Sequence, residues 1–584
     1  MRSREWFDIP GDPSTTALHI ERYTNFGISS EELRSGKPII GIAQTGSDLV
    51  PCNRIHMNLA LRVREGIREA GGIALEFPVH PIQESGKRPT AALDRNLQYL
   101  GLVEVLFGYP IDGVVLTIGC DKTTPALLMA ASTVDIPSIC LSSGPMMNGY
   151  WKGERAGSGT IVWKARKLLA TGEIDEEEFI KIVVDATTSP GFCNTMGTAT
   201  TMNSLAEGLG MSLPGCAAIP APLSERIEMS YRTGLRIVEM VKKDLTPSKI
   251  LTRKAFENSI VLNSAIGGST NAPIHINAIA RHVGVELEIE DWEKVGLEIP
   301  MLVNMQPGGK YLGEDFHRAG GVPAVMNALL KAGKLHDSAI TVNGKTVAEN
   351  YAETTTQDTD VIRTFQNPML ENAGFIVLKG NIFDSAVMKT SVISDSFRSQ
   401  YLDKPGSKNV FEVRAIVFEG PEDYRKRIND PQLNINVDCI LVIRGCGPVG
   451  YPGSAEVVNM QPPDKLIREG ILELPTLGDG RQSGTSGSPS ILNISPESAV
   501  GGGLALLKTG DMLRIDLNQG SLDVMLDKSE LQKRHDELKT EEIENQTPWQ
   551  EIYRNTVGQL SSGGIIELAA KYRKIRNTIP RHSH

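Results

Sequence analysis

Cys120, Asp121 and Lys122 are consecutive, so a thiol, a carboxylate and an amine leave the backbone within one short stretch. A thiolate is a soft metal ligand and a carboxylate a hard one, and side by side they can serve two different metals in one small site. Two more cysteines share this kind of setting. Cys52 follows Pro51, and Cys193 lies in the polar loop Phe192-Cys193-Asn194-Thr195-Met196-Gly197-Thr198. Three thiolates are one short of a four-cysteine iron–sulfur site, so a cluster on them would keep one iron open to polarise a substrate hydroxyl. Zinc is the other metal three cysteines can hold, although the wide spacing without a C-x2-C pair argues against a structural finger. The oxygen donors for a hard cation are Asp121, Glu84 and Glu456. Taken singly, each carboxylate reads as solvated surface and Lys122 as a salt-bridge partner. Carbamylation by CO2 would instead turn Lys122 into an anionic oxygen donor. Ser483 stands in the glycine-rich loop Thr476–Thr485, and a serine hydroxyl is a poor base unless a neighbouring metal lowers its pKa. Cys140, Cys216 and Cys439 read as small buried hydrophobes. Cys446, in Arg444-Gly445-Cys446-Gly447-Pro448, sits in a loop that could face the site.

These residues need a frame. The β-branched run Gly113–Ile118 reads as a buried strand ending just before Cys120, and Pro125 stands in the first turn of the helix that follows. Pro38–Ala43 reads as a strand leading to the loop of Cys52, and Ile73–Val79 as one leading to Glu84; Ile136–Ser142 is a fourth. Helical spacing fills the gaps, at about 55–70 and 91–107. This β-loop-α alternation predicts a parallel sheet flanked by helices, with ligands at the carboxyl ends of its strands. An acidic amphipathic helix is expected over 175–188, then mostly helical patterns to about 335. From about 370 the texture changes to short strands separated by turns: Phe375–Gly380, Val410–Phe418, Cys439–Ile443 and Met512–Leu517, with Asn518-Gln519-Gly520-Ser521 as a hairpin turn. The fold class expected is α/β, with a large N-terminal domain, 1–370, carrying the three cysteines and part of the cation site. A mainly β, barrel-like C-terminal domain, 371–584, contributes Glu456 and Ser483. Residues 528–575 read as helical and polar, ahead of a basic tail.

The 584 residues exceed one core, and length suggests roughly two to four domains. Sixty basic against seventy acidic residues leave a net charge of −10, which argues against a nucleic-acid or anionic-membrane partner. No run reaches the ~18 apolar residues of a membrane helix, and the start Met1–Asp8 lacks the apolar centre of a signal peptide. Seven scattered cysteines, an odd number, favour reduced thiols over a disulfide framework. The expectation is a cytoplasmic enzyme.

Six motifs, read together, carry a resemblance. Pro51-Cys52-Asn53, Gly119-Cys120-Asp121-Lys122, Cys193-Asn194-Thr195-Met196, Gly267-Gly268-Ser269-Thr270-Asn271, Gly453-Ser454-Ala455-Glu456 and Asp479-Gly480-Arg481-Gln482-Ser483-Gly484 span almost the whole chain in order. The chain resembles the iron–sulfur dehydratase family that includes dihydroxy-acid, 6-phosphogluconate and sugar-acid dehydratases. Trp6-Phe7-Asp8, Phe77–Ile82, Arg88–Asn96 and Thr123–Ala126 make it most similar to the branch acting on pentonates such as D-xylonate and L-arabinonate. The resemblance implies a [2Fe-2S] cluster on Cys52, Cys120 and Cys193, and Mg2+ on Glu84, Asp121, carbamylated Lys122 and Glu456. It implies Ser483 as the base, a small sugar acid as substrate, its 2-keto-3-deoxy acid as product, and a homodimer or homotetramer. The chain departs from the branched-chain dihydroxy-acid dehydratases at Pro81-Ile82-Gln83-Glu84-Ser85, where they carry an Asp-Gly-Ile-Ser loop. Three rivals are a branched-chain dihydroxy-acid dehydratase, an iron–sulfur redox or sensor protein, and a zinc protein.

Overall fold

The computed structural model describes residues 1–539 and 543–582. Four parallel strands, β1 (Ile39–Gln44), β2 (Ile73–Pro78), β3 (Gly113–Ile118) and β4 (Ser138–Ser142), form one sheet in the order β2-β1-β3-β4. Every residue of β3 and β4 is buried, as an apolar strand covered on both faces requires. The helices His56–Glu69 and Ala91–Gly108 fill the two expected connections, and the wholly buried helix Thr123–Val134 follows β3. The acidic helix is Glu176–Asp185. A small ribbon, β5 (Tyr150–Trp151) and β6 (Glu154–Arg155), lies between them in sequence.

The C-terminal strands close into a barrel. They are β7 (Phe375–Gly380), β8 (Phe383–Lys389), β9 (Val410–Glu419), β10 (Cys439–Arg444), β11 (Thr476–Gly478), β12 (Ser490–Ser495), β13 (Met512–Asp516) and β14 (Ser521–Val524), in the order β10-β11-β12-β8-β7-β14-β13-β9. The turn at 518–521 does join an antiparallel pair, β13 and β14. Alternation along β9 and β10 divides two cores. Val413, Ala415, Val417, Ile440 and Val442 join one cluster, while Ile416, Phe418, Leu441 and Ile443 join another. Both faces are covered along 415–418 of β9 and 439–443 of β10, so these stretches read in sequence as continuous apolar runs.

The expected helical tail is only partly helical. Helices cover Lys528–Asp536 and Pro548–Arg554, after which the chain makes short 3-10 turns. Gly563 and Gly564, both at positive φ, break any longer helix. The part of that expectation at 540–542, and the last two residues of the basic tail, lie outside the described residues. Among the described residues no helix is long and apolar enough to cross a membrane.

The two halves meet at the first turn of the helix Ala91–Gly108. Thr90 caps it by accepting from the Leu93 N–H and donates its own hydroxyl to the Pro452 carbonyl at 2.7 Å. Arg95 donates to the carbonyls of Gly563 and Gly564 at 2.7 and 2.6 Å, and Trp549 donates to that of Leu93. Gly453 must be glycine: at φ +91°, a Cβ there would run into Thr90 and Leu93. The chain preceding Glu456 is thereby pressed against the N-terminal half.

Candidate active site

Cys120 leaves β3 in a stretch that tolerates no side chain at the preceding position. A Cβ at Gly119 would collide with the Asn53 amide and the Ser143 hydroxyl. Asn53 instead accepts from the Cys120 N–H at 2.8 Å, and Asn203 donates to the Gly119 carbonyl at 2.8 Å. This brings the loops after β1 and β3 together, as strand ends of one parallel sheet should be. Cys52 and Cys120 come within hydrogen-bonding reach. That contact pulls the Cys52 thiol below its ordinary value and pushes Cys120 well above. Cys193 is pushed up to about 12, by burial first and then by the Cys52 charge. Its sulfur accepts from the Ser158 hydroxyl at 3.3 Å. Cys120 is buried, and Cys52 and Cys193 are half-buried. Three gathered thiols, two of them partly accessible, suit a soft metal better than packing.

The hard ligands converge more tightly. Carboxylate oxygens of Glu84, Asp121 and Glu456 lie within 4.8 Å of one another. The Lys122 amine stands among them, 2.9 Å from Glu84, 3.6 Å from Asp121 and 3.6 Å from Glu456. Its contact with Glu84 lacks hydrogen-bond alignment, and neither atom has another hydrogen-bond partner. Burial opposes the ammonium, but Glu84 and the other carboxylates outweigh it and hold Lys122 above its ordinary value. The Asp121 carboxyl is pushed up to about 7, by burial first, against the pull of Lys122. Glu84 is raised by burial but brought net below its usual range by Lys122 and Arg481. The fully buried lysine therefore stands where the oxygens would surround a cation, and the donor set fits a hard metal.

Glu456 is fixed from the other half. Arg481 donates to it at 2.7 Å and Asn271 at 2.8 Å, while the Arg481 Nε holds the Ser454 carbonyl at 2.9 Å. Ser454 takes a left-handed φ of 70° to make this turn. Ser483 lies two residues beyond Arg481. Its N–H donates to Asn459 at 3.2 Å, and its hydroxyl is 3.0 Å from that of Thr485. Trp163, which can only donate, gives its N–H to Thr485 at 3.1 Å. Thr485 accepts from the indole, so its own proton is free to point at Ser483. A cleft of about 620 Å3 opens beside this serine, lined among others by Arg155, Thr160, Trp163, Lys164, Gln306 and Thr485.

All eight expected site residues stand at this junction, in two groups with the serine on the barrel side. Cys446 does not join them: its sulfur is buried in a barrel core, and its N–H donates to Asp479. Cys140, Cys216 and Cys439 are buried as expected. The sequence reading assigned no role to Gln83, Ser158, Trp163, Asn271, Arg481 or Thr485. Asn271 and Arg481 at least sit in glycine-rich motifs already singled out; Ser158 and Trp163 carry no local signal.

The family profile described as dihydroxy-acid/6-phosphogluconate dehydratase N-terminal matches residues 37–350, and its C-terminal counterpart matches 360–564. The chain belongs to this family. It is a hydro-lyase by that membership. It is 61% identical over 584 residues to the D-xylonate dehydratase of Caulobacter vibrioides, covering 100% of this chain and 98% of the relative. It is 45% identical over 534 residues to the L-arabinonate dehydratase of Rhizobium leguminosarum bv. trifolii, covering 91% and 90%. The dihydroxy-acid dehydratase of Caldanaerobacter subterraneus is more distant, at 37% over 551 residues, covering 92% and 95%.

Proposed function

We propose that this chain dehydrates a pentonate, such as D-xylonate or L-arabinonate, to its 2-keto-3-deoxy acid. The observation that carries the reading is a buried lysine enclosed by three carboxylates beside three thiols, in a chain whose full-length similarity to a D-xylonate dehydratase exceeds its similarity to dihydroxy-acid dehydratases. In this reading Cys52, Cys120 and Cys193 hold a [2Fe-2S] cluster, while Glu84, Asp121, Glu456 and carbamylated Lys122 hold Mg2+. The division near residue 370, with thiols before it and Glu456 and Ser483 after it, is part of the same proposal.

When bound, the two centres supply Lewis acidity, one at the leaving 3-hydroxyl and the other at the substrate carboxylate and 2-hydroxyl. Ser483 removes the C2 proton. Thr485 donates to the Ser483 oxygen and stabilises it as an alkoxide. The proton from C2 and the hydroxyl from C3 leave as one water, and the resulting enol tautomerises to the ketone. Lys122 is the N-cap of the helix Thr123–Val134, where the helix dipole favours an anion over an ammonium. The Lys122 ammonium loses one proton and the free amine adds to CO2 with release of a second, replacing a misplaced cation by an oxygen donor at the same point. Arg481 and Asn271 keep Glu456 aimed.

The working form proposed is a cytoplasmic homodimer or homotetramer. The test is a panel of aldonates and 2,3-dihydroxyisovalerate, assayed for 2-keto acid formation by anaerobically purified protein. Faster turnover of pentonates supports the reading, and faster turnover of the branched-chain acid sinks it.

A further inference from the structure

The loop between β2 and the helix Ala91–Gly108 touches both halves of the site with adjacent residues. Gln83 faces the thiols: its Nε2 donates to the Cys52 sulfur at 3.2 Å, and its Oε1 accepts from the Cys52 N–H at 3.4 Å. Glu84 faces both groups. Its backbone N–H donates to the Cys120 sulfur at 3.4 Å, and its carboxylate reaches Lys122 at 2.9 Å. Two bonds to sulfur and one cation contact therefore hang on two residues.

This loop is closed from outside by one carboxylate. Asp94, buried in the first turn of the helix, bonds His80 Nε2 at 3.0 Å and forms an ion pair with Lys87 Nζ at 3.2 Å. His80 and Lys87 bracket the loop. Gln98, one helical turn further on, donates to the His80 carbonyl at 2.6 Å. Ser85 takes a left-handed φ of 64° within the closed stretch, so the loop holds a shape its own sequence does not favour.

We propose that Asp94 is a positioning residue that couples the thiol group to the carboxylate group. By strapping residues 80–87 it sets Gln83 against Cys52 and Glu84 against Lys122 in a single act. This rests on the reading of Cys52 as a cluster ligand and of Glu84 as a cation ligand. Hydrogen bonds to a ligating sulfur tune a cluster's electronic structure and potential. Loosening a partner that orients a ligating carboxylate typically costs 10- to 100-fold in metal affinity. Release of the strap must disturb both.

The test uses anaerobic holoenzyme with Asp94→Asn, Lys87→Met and Gln83→Leu, and two readouts that need no turnover. Visible circular dichroism and the midpoint potential report the cluster. Mn2+ added after EDTA treatment, with the free ion counted by its EPR signal, reports the cation site. Asp94→Asn is expected to shift the cluster spectrum and to weaken Mn2+ binding about tenfold or more. Lys87→Met, which unties one end and is the milder change if Asp94→Asn fails to fold, should move both readouts the same way by less. Gln83→Leu should shift the spectrum and leave Mn2+ affinity within about twofold. A lower melting temperature with both readouts unchanged, or a change in only one of them for Asp94→Asn, overturns the coupling. Wild-type protein without iron and acid-labile sulfide overturns the cluster reading itself, and the proposal with it.

Discussion

The amide nitrogen of Asn271 lies 2.8 Å from Oε1 of Glu456, and the same nitrogen reaches the Gln482 carbonyl at 3.2 Å. One side chain from the N-terminal half thus fixes a carboxylate and the residue before Ser483. The Thr198 hydroxyl, 3.0 Å away, is its third acceptor. Asn271→Ala should lower kcat by about 10- to 100-fold, the scale of a buried hydrogen bond to a charged group. Steady-state kinetics beside an unchanged visible spectrum would check it. Wild-type kcat in the variant would mean that Arg481 alone suffices.

Ser483→Ala should cut kcat by about 10^2- to 10^4-fold, as loss of a general base does, with iron content intact. Near-normal turnover would remove Ser483 from the base role. Trp163→Phe acts one step further out, because it frees Thr485 to turn away from Ser483. Its expected mark is a smaller loss, about tenfold, with the alkaline-side activity requiring higher pH. A pH–rate profile superimposable on wild type would break that chain.

Asp121 links the cation to protons. Burial raises its carboxyl to about 7, above an ordinary value near 4. A raised acid contributes its stability fully below about 4 and loses it as pH rises through about 7. A divalent cation takes the place of that proton, so added Mg2+ should raise the melting temperature of EDTA-treated protein more at pH 8 than at pH 6. Binding near pH 6.5 should release protons, measurable by calorimetry in buffers of different ionisation heat. Equal Mg2+-induced shifts at both pH values would contradict the linkage.

Glu497 offers a second case, in a carboxyl outside the proposed ligand set. Burial, then the charge of Asp479, pushes it up to about 7. It accepts from the N–H groups of Val449 and Gly450 and from Gln559. Its stabilising effect is likewise complete below about 4 and fades as pH rises through about 7. The melting temperature of Glu497→Gln relative to wild type should therefore increase from pH 5 to pH 8. A constant difference across that range would show that the carboxyl titrates elsewhere.

The parallel sheet was legible because β3 and β4 are buried on both faces and write unbroken apolar runs. Of the barrel strands, β7, β9, β10 and β13 were legible, with β14 implied by the turn at 518–521, whereas β8, β11 and β12 were not, and neither was the closed order, since pairs such as β11 with β12 and β7 with β14 join segments that carry no mark of each other. Cys52, Cys120 and Asp121 could be placed at one edge because each follows a recognisable strand. Glu456 and Ser483 could be named as a possible oxygen donor and a serine in a glycine-rich loop, but their roles came through a motif-level resemblance, for their approach depends on Gly453, Thr90 and Asn271 meeting across the halves. Lys122 illustrates the remaining gap: its sequence neighbours name it a candidate ligand, but only the three surrounding carboxylates reveal why an ammonium there is out of place. The helical expectation for the tail failed because helical composition does not survive two adjacent glycines at positive φ.

The hydrogen bond from Thr90 to Pro452 spans 362 residues of chain. During synthesis the N-terminal part emerges first and folds as a unit. All three thiols are thus delivered long before Glu456 exists outside the ribosome. On the proposed reading, the thiol group can be filled on a nascent chain, whereas the carboxylate group must wait for the barrel to seat against Thr90. The order of maturation is written into the order of the polypeptide.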